Sequence, residues 1–166
     1  KNSVYGYLAV ENGFDLSVFC KSVSTLPKAN IGPNKGKKIK INDKIFFKNN
    51  RKEIYNFAID VIDNNDNTIR VLKGPQFNFF SLEVQKKFFS SEYKVTNLTD
   101  RMGMRLEGSI LENAVSTNIR SEGITKGAIQ VPADGQPIVL LTEHPTIGGY
   151  PKIVNVISAD YDLLVQ

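Results

Sequence analysis

Apolar and polar positions along this chain change over at the short period of β-structure far more often than at the period of a helix. "SVYGYLAV" is rich in β-branched and aromatic residues and runs into Asn12-Gly13, which predicts a strand and a turn. Ser22 to Gly36 is small, polar and interrupted by Pro and Gly, hence loop. "KKIKINDKIFF" sets Lys38 and Lys40 against Ile39 and Ile41, so residues 37–47 are expected to form a half-buried strand. "EIYNFAIDVI" predicts a further strand, Asp63 to Asn67 a turn, and "TIRVL" the strand after it. One segment departs from this period. Between Gly74-Pro75 and Ser91, residues Phe77, Phe80, Val84 and Phe88 recur at helical spacing. Ser81 could alternatively cap a shorter helix that starts at Leu82. The phenylalanine stripe reads as core packing. Beyond Asn97 come "MRLEG", "AIQVP", "PIVLLT", "KIVNVISA" and "YDLLV", all short strand candidates. One helix among many short strands indicates a mostly-β barrel or sandwich.

Composition narrows the function classes. The 166 residues carry 41% hydrophobic and 23% charged side chains, ordinary values for a globular chain of one domain or two small ones. No apolar run reaches membrane-spanning length, and no signal peptide opens the sequence. The single cysteine, Cys20, cannot close an internal disulfide, which favours a reducing, cytoplasmic setting. With one histidine, His144, no metal cluster of several Cys and His can be assembled. The net charge of +4 is concentrated in Lys35, Lys37, Lys38, Lys40, Lys44, Lys48, Arg51 and Lys52. No aromatic-interleaved motif for base stacking accompanies these lysines. They read as one solvated strand face, and neither nucleic acid nor membrane is expected as a partner.

Candidate chemistry gathers in "GAIQVPADGQPIVLLTEHPTIGGYPKI", Gly127 to Ile153. Asp134-Gly135 between two apolar runs predicts a hairpin, stiffened by Pro132 and Pro137. Gln130 and Gln136 lie near its tip, each with amide donors and an acceptor. Gly148-Gly149, between Thr146 and Tyr150, could bring backbone N–H groups close to a ligand or form an anion nest. The same pair could serve only a tight turn with positive φ. His144 lacks a nucleophile placed beside it and is assigned to its loop. Asp100, Glu107, Asp134, Glu143 and Asp160 are possible bases, and Arg101 and Arg105 possible clamps for a carboxylate or phosphate. Read as one strand, "RMGMR" puts both arginines on the same face. At least one of them is expected to pair with an acid such as Glu107 or Asp160 and to order the pocket wall.

The joined pattern "TDRMGMRLEG", "SEG", "GAIQVPADGQPIVLL" and "TIGGYPKI…VISAD" resembles the allophanate hydrolase subunit 2 family. That family is also known as the biotin-dependent carboxyltransferase or KipA family, and it includes the C component of bacterial 5-oxoprolinase. "YGYLAVENGFD", "SVSTLPKANIG" and "IRVLKGPQFNFF" extend the likeness over the whole chain, although Val23, Pro145 and Ile147 stand where the family commonly has Arg, Gln and Thr. The resemblance implies two tandem cyclophilin-like β-barrels. Residues 1–50 would belong to the C-terminal part of a first barrel that is only partly present and does not close alone. Residues 51–64 would be the connection, and residues 65–166 a second barrel lacking its last strand. It implies further segments on both sides and about twice this length. The implied partner is a KipI-like protein (allophanate hydrolase subunit 1), and the implied substrate a small amide or ureido compound. Gln130, Arg101, Arg105 and Glu107 would be catalytic. Pro132, Asp134, Gln136, Thr146, Gly148, Gly149 and Tyr150 would bind substrate. No metal or cofactor is expected on this chain itself, with ATP or carboxybiotin reached through the complex. Three activities follow from the resemblance. These are an ATP-dependent 5-oxoprolinase (lactam amidohydrolase) subunit, a biotin-dependent carboxyltransferase acting on urea or a similar acceptor, and a non-enzymatic regulator binding a KipI-like kinase inhibitor.

Overall fold

The computed structural model describes residues 8–48 and 67–165, which fall into two separate compact units. The strand expected over "EIYNFAIDVI" lies outside the described residues, as do most of the first predicted strand and most of the Asp63–Asn67 turn.

In the first unit, the strand expected over 37–47 does not form. Its tail makes one isolated bridge, Phe14 to Phe47, with Asp15 N donating to Phe46 O at 2.7 Å. Alternation supplies a face, but a strand also needs a neighbour to take its N–H and C=O groups. Among the described residues no longer ladder is present here. The Ser22–Gly36 loop holds 3-10 turns at Pro27–Ala29 and Asn34–Gly36. Gly36 is required at φ 69°, because a Cβ there would collide with the Asn30 carbonyl carbon.

The second unit is mostly β. Its strands are β1 (Val71–Lys73), β2 (Tyr93–Thr99), β3 (Gly103–Gly108), β4 (Glu122–Gly123), β5 (Ala128–Gln130), β6 (Ile138–Leu140), β7 (Ile147–Gly148) and β8 (Lys152–Val156). Six of them form one antiparallel sheet in the order β1-β8-β5-β6-β3-β2, and β4 pairs with β7 in a small second sheet. β2 was not expected from the sequence. "YDLLV" was expected as a strand, but after a 3-10 turn at Ser158–Asp160 it folds as a turn and a second 3-10 segment, Leu163–Val165. The anchor there is Asp160, which accepts from Arg70 N at 2.7 Å and from its Nε at 3.0 Å.

The helix takes the shorter of the two sequence readings. Phe77–Phe79 make a 3-10 turn, and α1 spans Leu82–Ser90. Ser81 is the N-cap, its hydroxyl accepting from Val84 N at 3.2 Å. Glu83 in the first turn and Lys87 in the last complement the helix dipole. Phe77 and Phe80 are buried in the core with Met104, Ile129, Val131, Val139, Ile153 and Val154, and Val84 and Phe88 pack against it. Burying side chains of this size contributes roughly 1.5–3 kcal/mol each.

The ladder between β5 and β8 is irregular. Ile129 faces Val154, but Gln130 faces Lys152, so Ile153 is an extra residue on β8.

Candidate functional site

The hairpin forms, with a wider tip than an Asp-Gly two-residue turn. Gly135 N donates to Pro132 O at 3.0 Å, closing a turn over Pro132–Gly135, and Gly135 holds φ 70°. The tip leans onto β3. Asp134 ion-pairs with Arg105 and also accepts from Gln136 N at 3.1 Å. Gln136 Oε1 accepts from Gly108 N at 2.8 Å, and its Nε2 donates to Gly108 O at 3.2 Å. Leu111 N donates to Gly135 O at 3.0 Å. Asp134 and Gln136 therefore spend their polar atoms on the sheet, while Glu107 is exposed on β3 opposite Lys94.

The two arginines do not share a strand face. Arg101 lies before β3, in the turn that Asp100 closes by accepting from Met102 N at 2.8 Å. It pairs with Glu143 at 2.5 Å, and Glu143 N donates back to Arg101 O at 2.8 Å. Arg105 pairs with Asp134. Each arginine thus has an acidic partner, but not the expected ones: Glu107 takes neither, and Asp160 takes Arg70 at 2.5 Å.

Neither Gly148 nor Gly149 lies in the left-handed region, so they form neither a positive-φ turn nor an αR–αL anion nest. Gly148 is needed for a close approach. A Cβ there would stand 2.6 Å from Gln130 Nε2 and 3.1 Å from the Ile124 methyl. Gln130 is 5% exposed, and its Nε2 has no hydrogen-bond partner. The structure thus brings Gln130 and Gly148 together and leaves the hairpin tip on β3. Gly149 O accepts from Ile119 N at 2.8 Å, and Thr146 O from Ile124 N at 3.1 Å. Pro132 is half-buried, while Thr146 and Tyr150 are exposed. His144 Nδ1 lies 2.7 Å from Pro145 O, within its own loop.

Three residues not singled out from the sequence complete the cluster around Gln130. Lys152, its cross-strand partner on β8, is 3% exposed. Glu122, opposite Gly148 across the small sheet, ion-pairs with the Lys152 ammonium. Gln76 binds both: its Nε2 donates to Glu122 Oε1 at 2.7 Å, and its Oε1 accepts from Lys152 N at 3.1 Å. Gln76 N in turn donates to Lys152 O at 3.3 Å. The ion pair is oblique, with Nζ meeting Oε1 outside hydrogen-bonding angles. The Lys152 ammonium, then the Gln76 amide, hold the Glu122 carboxyl below its usual range against the opposing effect of burial. A buried ammonium is costly without a counter-ion, and Glu122 supplies it. Glu122 is also the exposed end of the cluster, its side chain 42% accessible. The signal for these residues was present in "GPQ", "SEG" and "YPKI", segments that carry the resemblance. Nothing local marks them, because their meeting spans 46 and 76 positions of sequence.

The family model for the carboxyltransferase domain, subdomains A and B, matches residues 1–166. The chain belongs to that family. Within it, the chain is 37% identical to the C component of 5-oxoprolinase from Haemophilus influenzae, over all of this chain and 53% of that protein. It is 26% identical to urea amidolyase of Lachancea kluyveri, over 87% of this chain and 9% of that protein. The chain thus spans about half the length of its 5-oxoprolinase relative. Among solved structures, Kluyveromyces lactis urea amidolyase superposes with a TM-score of 0.74 at 23% identity, over 92% of this chain and 11% of that one. The mostly-β fold expected from the family resemblance is therefore met. Among the described residues no helix is long and apolar enough to cross a membrane, and no group of three or more His, Cys, Asp or Glu is placed to hold a metal ion.

Proposed function

We propose that this chain is part of a lactam-opening subunit of a 5-oxoprolinase-type complex, working with a KipI-like partner and ATP, and that its amide substrate binds at Gln130. The observation that carries this reading is the buried Gln130 Nε2, packed against Gly148 and left without an acceptor. A buried donor without a partner costs about 1–3 kcal/mol, and a substrate oxygen would recover it. A planar primary amide also matches an N–C=O unit on both of its edges. The 5-oxoprolinase relative supports this choice of substrate.

The test uses the full-length protein with its KipI-like partner and ATP. Ring opening of 5-oxoproline is expected, with kcat/KM lowered about 10- to 100-fold in Gln130→Leu at an unchanged folded fraction. No ring opening, or a variant as active as the parent, would refute the reading. The urea amidolyase relative supports a second reading, carboxyl transfer from carboxybiotin to a urea-like acceptor. Activity that requires a biotinylated partner and is abolished by avidin would select the second reading.

A further inference from the structure

Two donor groups in the cluster around Gln130 lack a hydrogen-bonded acceptor. Gln130 Nε2 carries two N–H bonds and the Lys152 ammonium three. The partners given to them are few: none for Nε2, and for the ammonium the oblique contact with Glu122. That same Glu122 oxygen already accepts from Gln76. Gln130 and Lys152 are directly opposed on adjacent antiparallel strands, so their side chains leave the sheet on one face, within reach of a common ligand. Both are at least nine-tenths buried, and the wall facing Gln130 is a glycine. Buried N–H donors without an acceptor, one of them charged, are matched by an acceptor that is itself planar and anionic.

We propose that Gln130 and Lys152 form a donor pair that reads a carboxylate oxygen of the ligand, with Gln76 and Glu122 as the brace that keeps the ammonium aimed. This deepens the reading above by naming the ligand atoms the site takes, and it rests on the same Gln130 pocket. Two sources present this chemistry: a substrate that carries its own carboxylate, or a carboxyl group in transit to an acceptor. Gly148 keeps Nε2 in place, because a Cβ there would stand 2.6 Å from it and push it aside.

The probes are acetate and acetamide, equal in shape and different in charge, titrated into the 15N-labelled full-length protein. The readout is the Gln130 side-chain amide resonance. Acetate is expected to move it at concentrations at least about tenfold lower than acetamide does. In Lys152→Met, acetate is expected to bind no better than acetamide. In Gly148→Ala, whose Cβ would push Nε2 aside, acetate binding is expected to drop about tenfold or more. Equal binding of the two probes would overturn the proposal. So would an acetate preference that survives Lys152→Met, or a Gly148→Ala protein that binds acetate as the parent does. Should Lys152→Met fail to fold, the probe comparison and Gly148→Ala decide the question alone. Acetate preference without ring opening would sink the lactam reading and leave this one standing; ring opening without acetate preference would do the reverse. With acetate preference in hand, competition by a carboxylated lactam, or by bicarbonate with carboxybiotin, tells the two sources apart.

Discussion

Gln136 serves Gly108 as one more peptide unit of β6, accepting from its N–H at 2.8 Å and donating to its carbonyl at 3.2 Å. The β3–β6 ladder is thereby extended past the point where Pro137, lacking an N–H, could continue it. Gln136→Ala is expected to cost about 1–2 kcal/mol in denaturant unfolding. Amide exchange at Gly108 should speed up with it. Turnover per folded molecule should not change; a fall in kcat/KM at constant folded fraction would return Gln136 to substrate binding.

Arg105 reaches Asp134 through one nitrogen, and the other Asp134 oxygen is taken by Gln136 N. The pair is a partly exposed, single-point contact, a geometry that lysine can reproduce. Arg105→Lys is expected to change stability by less than about 1 kcal/mol and to leave activity near the parent's. Loss of activity without loss of fold would show that the guanidinium does more than hold the hairpin tip.

Arg70 donates to Asp160 from its side chain and its backbone, and these bonds, the side-chain ones foremost, hold the Asp160 carboxyl below its ordinary value of 3.8. A folded-state pKa below the unfolded one means that the stabilisation is complete above the unfolded value and disappears as pH falls through the folded one. The melting-temperature gap between the parent and Asp160→Asn should be constant above about pH 5 and shrink steadily below about pH 4. A gap that stays flat through the acid range would contradict the assignment.

A Cβ on Gly74 would collide with Lys152 O and lie 2.8 Å from Lys152 C, both backbone atoms that cannot swing away. Gly74→Ala is expected to destabilise by about 2 kcal/mol or more. Gly123, where a Cβ meets nothing within 4 Å, is the control, with an expected change inside about 0.5 kcal/mol. Calorimetry of the two variants side by side is the measurement.

What could be read from the sequence was what local physics decides. The Ser81 cap and the Phe77, Phe80, Val84, Phe88 stripe place α1 and its buried face, "MRLEG" covers β3 from Met104 onward, and "KIVNVISA" contains β8. Where a short apolar run had no obligatory neighbour the reading failed, as at 37–47 and "YDLLV". β2 was passed over because its outer positions, Val95 and Leu98, are exposed apolar residues that break polar alternation. The arginines were mispaired because an extended "RMGMR" was assumed, whereas the chain turns at Asp100–Gly103. For the site, Gln130 and Gly148 stood out by residue type alone. Gln76, Glu122 and Lys152 look like ordinary surface residues until the sheet brings them together.

The surplus residue at Ile153 gives β8 its own arithmetic. Ile153 and Val154 are consecutive and both wholly buried, so strict parity fails across this step, and Gln130 meets a lysine where an unbroken count would give it an isoleucine. Substitution at 153 and deletion of 153 are therefore different experiments. The first changes the volume of the core; the second removes the offset between the two halves of the strand. Chain length at this point matters to the site as much as residue type, and an alignment of related chains that opened a gap here would assign the lysine's role to the wrong column.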